Sequence, residues 1–257
     1  MRRNAFSMLE LIFVIVVMGI LAKFGVDLFK QIYDNYARTV IVTSLEEKTE
    51  TALAQIANRL RERIPESARL ITGGIEWIGR DSDGWNNASW SGVADIGKDY
   101  SDSNSTLIET PGTVSTYFTE KAANWYAVYF LQNDVVPGSD SFYTGSSMHP
   151  VSGFDTTSTR NAFTFATPLQ KASEHYVVSE FAYKLVLNGT RLFLHKYKPW
   201  NARYRERTYL LLDNSVSDFA IKNFKGNAGG FIVVLCLDEP NLIGEGETKI
   251  CKQKFVF

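Results

Sequence analysis

Arg2-Arg3-Asn4-Ala5-Phe6-Ser7-Met8-Leu9-Glu10-Leu11-Ile12-Phe13-Val14-Ile15-Val16-Val17-Met18-Gly19-Ile20-Leu21-Ala22 decides the architecture of this chain. A basic head is followed by a small residue and then by an apolar run in which Glu10 is the one charge. An acid at the centre of a membrane helix costs on the order of 2.5–3.5 kcal/mol on insertion scales, and less toward the helix end. A carboxylate held at that cost calls for a partner, and the partner bears on function.

Outward from this stretch the helical pattern continues. No proline occurs before Pro65. Ile41, Leu45, Ala52, Leu53, Ile56, Leu60 and Ile64 recur at helical spacing, while Arg38, Glu46, Glu47, Lys48, Glu50, Arg59, Arg61 and Glu62 fill the other face. Lys23 and Asp27 mark the far membrane interface. The β-branched run from Thr39 to Thr43 weakens the helix locally and is a candidate kink. A helix from Phe6 to Arg63 would be about 87 Å long. No globular core needs that length. A shaft with one half in lipid and one half under a β-sheet does.

The head resembles the class III leader of type IV pilins and of the pseudopilins of type II secretion. That pattern has a basic leader, a small residue at the cut, a hydrophobic first mature residue and Glu at the fifth mature position. Here the cut falls between Ala5 and Phe6, and Glu10 is fifth after it. Ala5 departs from the usual glycine but is small. The resemblance is specific over roughly the first thirty residues. It implies cleavage by a prepilin peptidase, N-methylation of Phe6, and a Glu10 carboxylate that neutralises the terminal amine of a neighbouring pilin or pseudopilin and sets helix register. Arg2 and Arg3 keep the N-terminus cytoplasmic by the positive-inside bias. The implied location is the bacterial inner membrane, single-pass, with a periplasmic body that ends in a filament. The implied fold is α+β and pilin-like: leader at 1–5, membrane half of the helix at 6–29, amphipathic half at 30–64, β-rich body at 65–257.

Two alternatives share the opening pattern. A secretory signal peptide also has a basic start and an apolar core, but it is cut after the core. Gly19, Ala22 and Gly25 could stand for such a site. The acid within the core and the long helical continuation argue against it. The other alternative is a plain signal anchor with an incidental acid.

The 257 residues suffice for an anchor and one sizeable domain. A net charge of −1 with interspersed signs lacks the basic stripe of a nucleic-acid binder. Cys236 and Cys251, delivered outside the cytoplasm, are expected to bridge and would close a loop worth roughly 3 kcal/mol. Two buried thiols are the alternative. A metal site would need further ligands beside them.

After Pro65 the pattern changes to alternation and turns. Asn188-Gly189 between Phe181–Leu187 and Arg191–Tyr197 predicts a hairpin. Tyr209–Leu212, Val216–Phe224, Phe231–Leu237 and Lys249–Phe257 read as further strands, the last of them as a meander. The run 231–237 is apolar on both faces, as expected of a strand between layers. This order resembles the C-terminal half of J-type minor pseudopilins. Tyr126–Leu131 and Phe163–Phe165 are expected strands, whereas 81–100 and 137–159 read as long surface loops.

Asp81-x-Asp83-Gly84 has the opening of a calcium loop without its closing glutamate. Asp95, Asp99 and Asp102 could add oxygens, and an Asp-Gly turn is the simpler reading. His149, His175 and His195 are far apart, and no nucleophile motif, phosphate loop or carboxylate pair is visible. No enzymatic function and no cofactor other than this calcium candidate is expected. Trp85 and Trp90 lie in the polar loop as anchors or partner contacts, and Arg203–Arg207 reads as a solvated hairpin end. The expected function is a structural minor pilin or pseudopilin. The alternative is a pilus-associated module that binds surfaces, DNA or secreted substrate.

Overall fold

The computed structural model describes residues 8–82, 92–95, 107–109, 125–131, 136–144, 147–157, 160–169, 172–224, 230–240 and 247–257. Helix α1 spans Met8–Arg61 without interruption, about 80 Å. The helix runs through Thr39–Thr43 without a break. Thr39 Oγ1 donates to Asn35 O at 2.8 Å, so the first hydroxyl of the β-branched run is satisfied within the helix. Thr49 does the same toward Leu45 O at 2.6 Å. The helix ends as Pro65 approaches, where Arg63 Nη1 donates to Leu60 O at 2.8 Å and relieves a terminal carbonyl. Glu66, at φ 68°, then turns the chain back.

Among the described residues thirteen strands follow: β1 Arg69–Ile71, β2 Gly74–Ile78, β3 Leu107–Glu109, β4 Ala127–Phe130, β5 Met148–Thr157, β6 Arg160–Phe165, β7 Tyr176–Ser179, β8 Ala182–Asn188, β9 Arg191–Tyr197, β10 Arg207–Leu212, β11 Val216–Phe224, β12 Gly230–Pro240 and β13 Glu247–Val256. A short helix α2, Ser141–Thr144, precedes β5. The strands form three antiparallel sheets, in the orders β1-β2-β8-β9-β10, β11-β12-β13 and β3-β6-β5-β4-β7. The chain is α+β, a long N-terminal helix on a β-sheet body.

The upper part of α1 is the centre of the main core. Ile41, Leu45, Ala52, Leu53, Ile56, Ala57 and Leu60 pack with Ile75, Trp77, Leu185 and Leu194 of the first sheet and with Phe231, Val233, Leu235 and Val256 of the second. Burying each large aliphatic side chain contributes roughly 1.5–3 kcal/mol. The third sheet has its own aromatic core, in which Phe163 meets Tyr176 edge-on at 5.3 Å and Phe154 at 5.5 Å. Ile64, Ile78, Ala127, Tyr129, Phe142 and Met148 join it to the first sheet.

Several expectations are corrected. Asn188 pairs with Arg191, so the two turn residues are Gly189 and Thr190 rather than Asn188-Gly189. Gly189 takes φ 61°, the first-position glycine of a primed turn. The stretch 137–159 is not all loop: it contains α2 and the ten-residue strand β5. Strand 231–237 is the middle of the last sheet. Its odd-numbered residues face the helix, while Ile232 and Val234 are half-buried on the other side. The closing meander is as expected, β11-β12-β13, and β10 pairs with β9 in the first sheet.

Candidate functional site

The helix divides at residue 40. Met8 is 83% exposed, Phe24 69% and Tyr36 67%, whereas Leu45 and Leu60 are fully buried. From Met8 to Val40 the body covers nothing that is large and apolar. The segment Met8–Phe29 alone measures about 33 Å, the thickness of a bilayer's hydrocarbon core. An apolar helix of this kind is consistent with a single-pass anchor. Its carbonyls and amides are satisfied along the helix, as lipid demands. Tyr33 and Tyr36 follow as exposed aromatics, the residue type that favours a membrane–water interface.

Glu10 lies in the first turn of α1, where the helix dipole favours a negative charge. Ala5 and Phe6, the expected cleavage pair, lie outside the described residues. So do Asp83, Trp85, Trp90, Asp99 and Asp102.

Asp81 is not on a surface loop. It is buried, and its N–H donates to Val178 O at 2.8 Å. It lines a cleft of about 90 Å³ beside the C-terminal end of α1, together with Arg59, Glu62, Arg80, Glu180 and Lys196. Its lining holds three cations and three carboxylates. Burial holds the Lys196 ammonium below its ordinary pKa, against the pull of Glu180. Among the described residues no three His, Cys, Asp or Glu side chains converge as a metal site.

Two polar clusters escaped sequence reasoning. Glu76 is buried in β2 and receives Arg69 Nε and Nη2 at 2.7 Å each. The Tyr197 hydroxyl donates to its other oxygen. Burial, then the Glu76 hydrogen bond and charge, raise the Tyr197 pKa far above the usual phenol value. Arg69 also lies 3.9 Å over the Tyr143 ring and pairs with Asp140. The second cluster surrounds Lys198, whose side chain is fully buried. Its ammonium donates to Trp125 O at 2.9 Å, lies 3.5 Å from Glu180 and sits 3.6 Å over the Trp125 ring. Both clusters tie the first sheet to what precedes and follows it. The one sequence signal was a Lys flanked by aromatics in Tyr197-Lys198-Pro199-Trp200.

The histidines remain apart. His149 is buried against Phe130 and Phe165, and burial pushes its imidazole down to about 4. His195 Nδ1 lies 2.6 Å from Glu206. Cys236 and Cys251 form a disulfide between directly opposed residues of β12 and β13. Arg203, Arg205 and Arg207 are exposed, as expected of a hairpin end.

These features amount to a bare apolar rod joined without a break to a covered one, beneath a body held by polar clusters and a disulfide. No protein-family model, no curated protein and no solved structure matches this chain.

Proposed function

We propose that the chain is a structural subunit, a minor pilin or pseudopilin, inserted in the inner membrane and assembled into a filament after a prepilin peptidase cuts between Ala5 and Phe6. One observation carries this reading. A single uninterrupted helix has an upper half buried in the body and a lower half, Met8–Val40, left bare over a length greater than a bilayer requires. A plain anchor needs only the lipid-spanning part, and it has no need of rigid continuity with a core. A subunit that must leave the lipid and pack its shaft among others needs both.

In this role Glu10 pairs with the methylated terminal amine of a neighbouring subunit. The pairing removes two charges from an apolar setting and fixes axial register. N-terminal sequencing of purified protein tests the reading directly. Methyl-Phe at position 6 is the expected start. A start at Met1 would overturn the processing step, and a start beyond Ala22 would make the segment a removed signal. Glu10→Ala is expected to leave membrane insertion intact and to impair filament assembly.

A further inference from the structure

The third sheet is an insertion in the first. Strand β2 ends at Ile78, the strands of the third sheet follow, and β8 resumes the first sheet at Ala182, paired with β2. The outgoing and returning segments run together at this joint. Gly79 N donates to Phe181 O at 2.9 Å and Asp81 N to Val178 O at 2.8 Å. Arg80 N donates to Glu62 O at 2.7 Å and ties the outgoing segment to the end of α1. The cleft of about 90 Å³ opens at this joint, between α1, the two connecting segments and β9. Places where two structural units meet are preferred positions for small-ligand sites.

The charges around the cleft do not match one another. Glu180 is engaged by Trp125 Nε1 and by Lys198, and Asp81 is buried and has a partner of its own. Among the described residues Arg59, Arg80 and Lys196 make no ion pair, and the Glu62 side chain makes none either. Three cations therefore stand against one uncommitted carboxylate. Arg59 lies over the Tyr183 ring at 5.6 Å, and Lys196 Nζ over the Phe181 ring at 3.5 Å. Tyr183 and Lys196 are directly opposed across β8 and β9, so both cations stand on one face of the sheet. A Cβ at Gly79 would lie 2.6 Å from the Tyr183 ring, so only glycine leaves that ring in its place under Arg59. Arg59 and Arg80 are exposed, and water solvates them. Lys196 is half-buried. Burial lowers its pKa, Glu180 opposes the shift, and the Arg59 and Arg207 charges add to it. An ammonium that has lost water and faces a second cation lacks an anion.

We infer that this cleft is a binding site for a small carboxylate, held between the Arg59 guanidinium and the Lys196 ammonium. Size and charge select the ligand. A space of about 90 Å³ is the room of roughly three water molecules, enough for a carboxylate on a few heavy atoms. The planar fork of an arginine takes both oxygens of a carboxylate. Glu62, Asp81 and Glu180 border the same space and oppose a second negative charge, so a monoanion suits it better than a phosphate dianion. A lipid phosphate is out of reach, because Arg59 is about 45 Å further along α1 than Phe29. The bound carboxylate joins α1 to β9 across the joint and stiffens the attachment of the inserted sheet. The inference does not depend on the assembly reading.

The test uses the full chain in deuterated micelles, with acetate as the probe and saturation transfer to its methyl protons as the readout. Acetate is expected to bind saturably against a background of chloride at constant ionic strength. Arg59→Gln and Lys196→Gln are each expected to weaken that binding at least about tenfold, the effect of losing one charged hydrogen-bond partner. Lys196→Arg keeps the charge and is expected to bind more tightly than Lys196→Gln. Arg61→Gln, in the same last turn but outside the cleft, should bind as the parent chain does. No saturable transfer, or equal affinity in the parent and both glutamine variants, would overturn the site. Displacement of acetate by inorganic phosphate at a lower concentration than acetate itself requires would overturn the choice of a carboxylate. As a second measurement, saturating acetate is expected to raise the melting temperature of the parent and of neither glutamine variant. An equal rise in all three counts against the site.

Discussion

From Met8 to Val40, helix α1 presents apolar side chains to whatever surrounds the protein; from Ile41 to Arg61 it presents them to its own sheets. The backbone is the same in both halves. The difference lies in what removes the apolar surface from water. In the upper half it is Trp77, Leu194, Leu235 and their neighbours, so stability there is a property of this chain. In the lower half it must be lipid or another protein, so stability there depends on surroundings. The comparison teaches that helix length alone says little. The change of exposure at residue 40 marks where the fold ends and the interface begins.

The largest expected contrast comes from matched truncations in the two halves. Leu60→Ala should destabilise the body by about 2–5 kcal/mol, because it opens a cavity among rigid neighbours. Ile15→Ala should change body stability by less than about 0.5 kcal/mol. Denaturant unfolding of the full chain in micelles, followed by tryptophan fluorescence, measures both. Equal losses would break the comparison.

Acid should also separate the halves. The buried His149 titrates near 4, below its ordinary 6.5. The fold accepts the neutral ring and the unfolded chain binds the proton more readily. The stabilisation is thus complete above pH 6.5 and is lost as pH falls toward 4, up to about 3 kcal/mol in total. His149→Phe should flatten that slope. Far-ultraviolet helix signal from the bare half should persist through the same pH range.

Reduction of Cys236–Cys251 should lower body stability by roughly 3 kcal/mol, seen as a lower melting temperature with a thiol reductant. Cys236→Ser with Cys251→Ser should match it.

The smallest effects concern two glycines. A Cβ at Gly19 or Gly25 meets nothing within 4 Å in the single chain. Alanine at either should therefore favour the helix by about 0.5–1 kcal/mol.

The covered stripe of α1 was legible because its residues keep a helical period and their burial needs no distant partner to predict. Thr49 and Ala57 escaped that reading. Thr49 is polar, and only the Leu45 carbonyl makes its burial tolerable. Strand β5 was hidden by its composition. Ser147, Pro150, Ser152 and Gly153 read as loop, yet Pro150 is where β5 leaves its pairing with β4 and Val151 begins pairing with β6. At that handover a missing N–H is tolerated. The shift of the hairpin turn by one residue left both strands in place, since Gly189 supplies the positive φ in either arrangement. Glu76 was invisible because Tyr197, one of its partners, is 121 residues away. Asp81 looked solvated because its neighbours are polar, and only the approach of the end of α1 to Glu180, Tyr183 and Lys196 encloses its cleft.

The disulfide has a mechanical consequence. A pull on the shaft reaches the body through α1's contacts with β12 and β13, including Glu50 with Lys252 and Lys254. Strand β13 lies at the sheet's edge and would be the first to peel under load. The covalent tie at Cys236 and Cys251 passes that load straight to the middle strand. A load on the shaft then strains a cross-linked pair of strands in place of a row of hydrogen bonds opened one at a time.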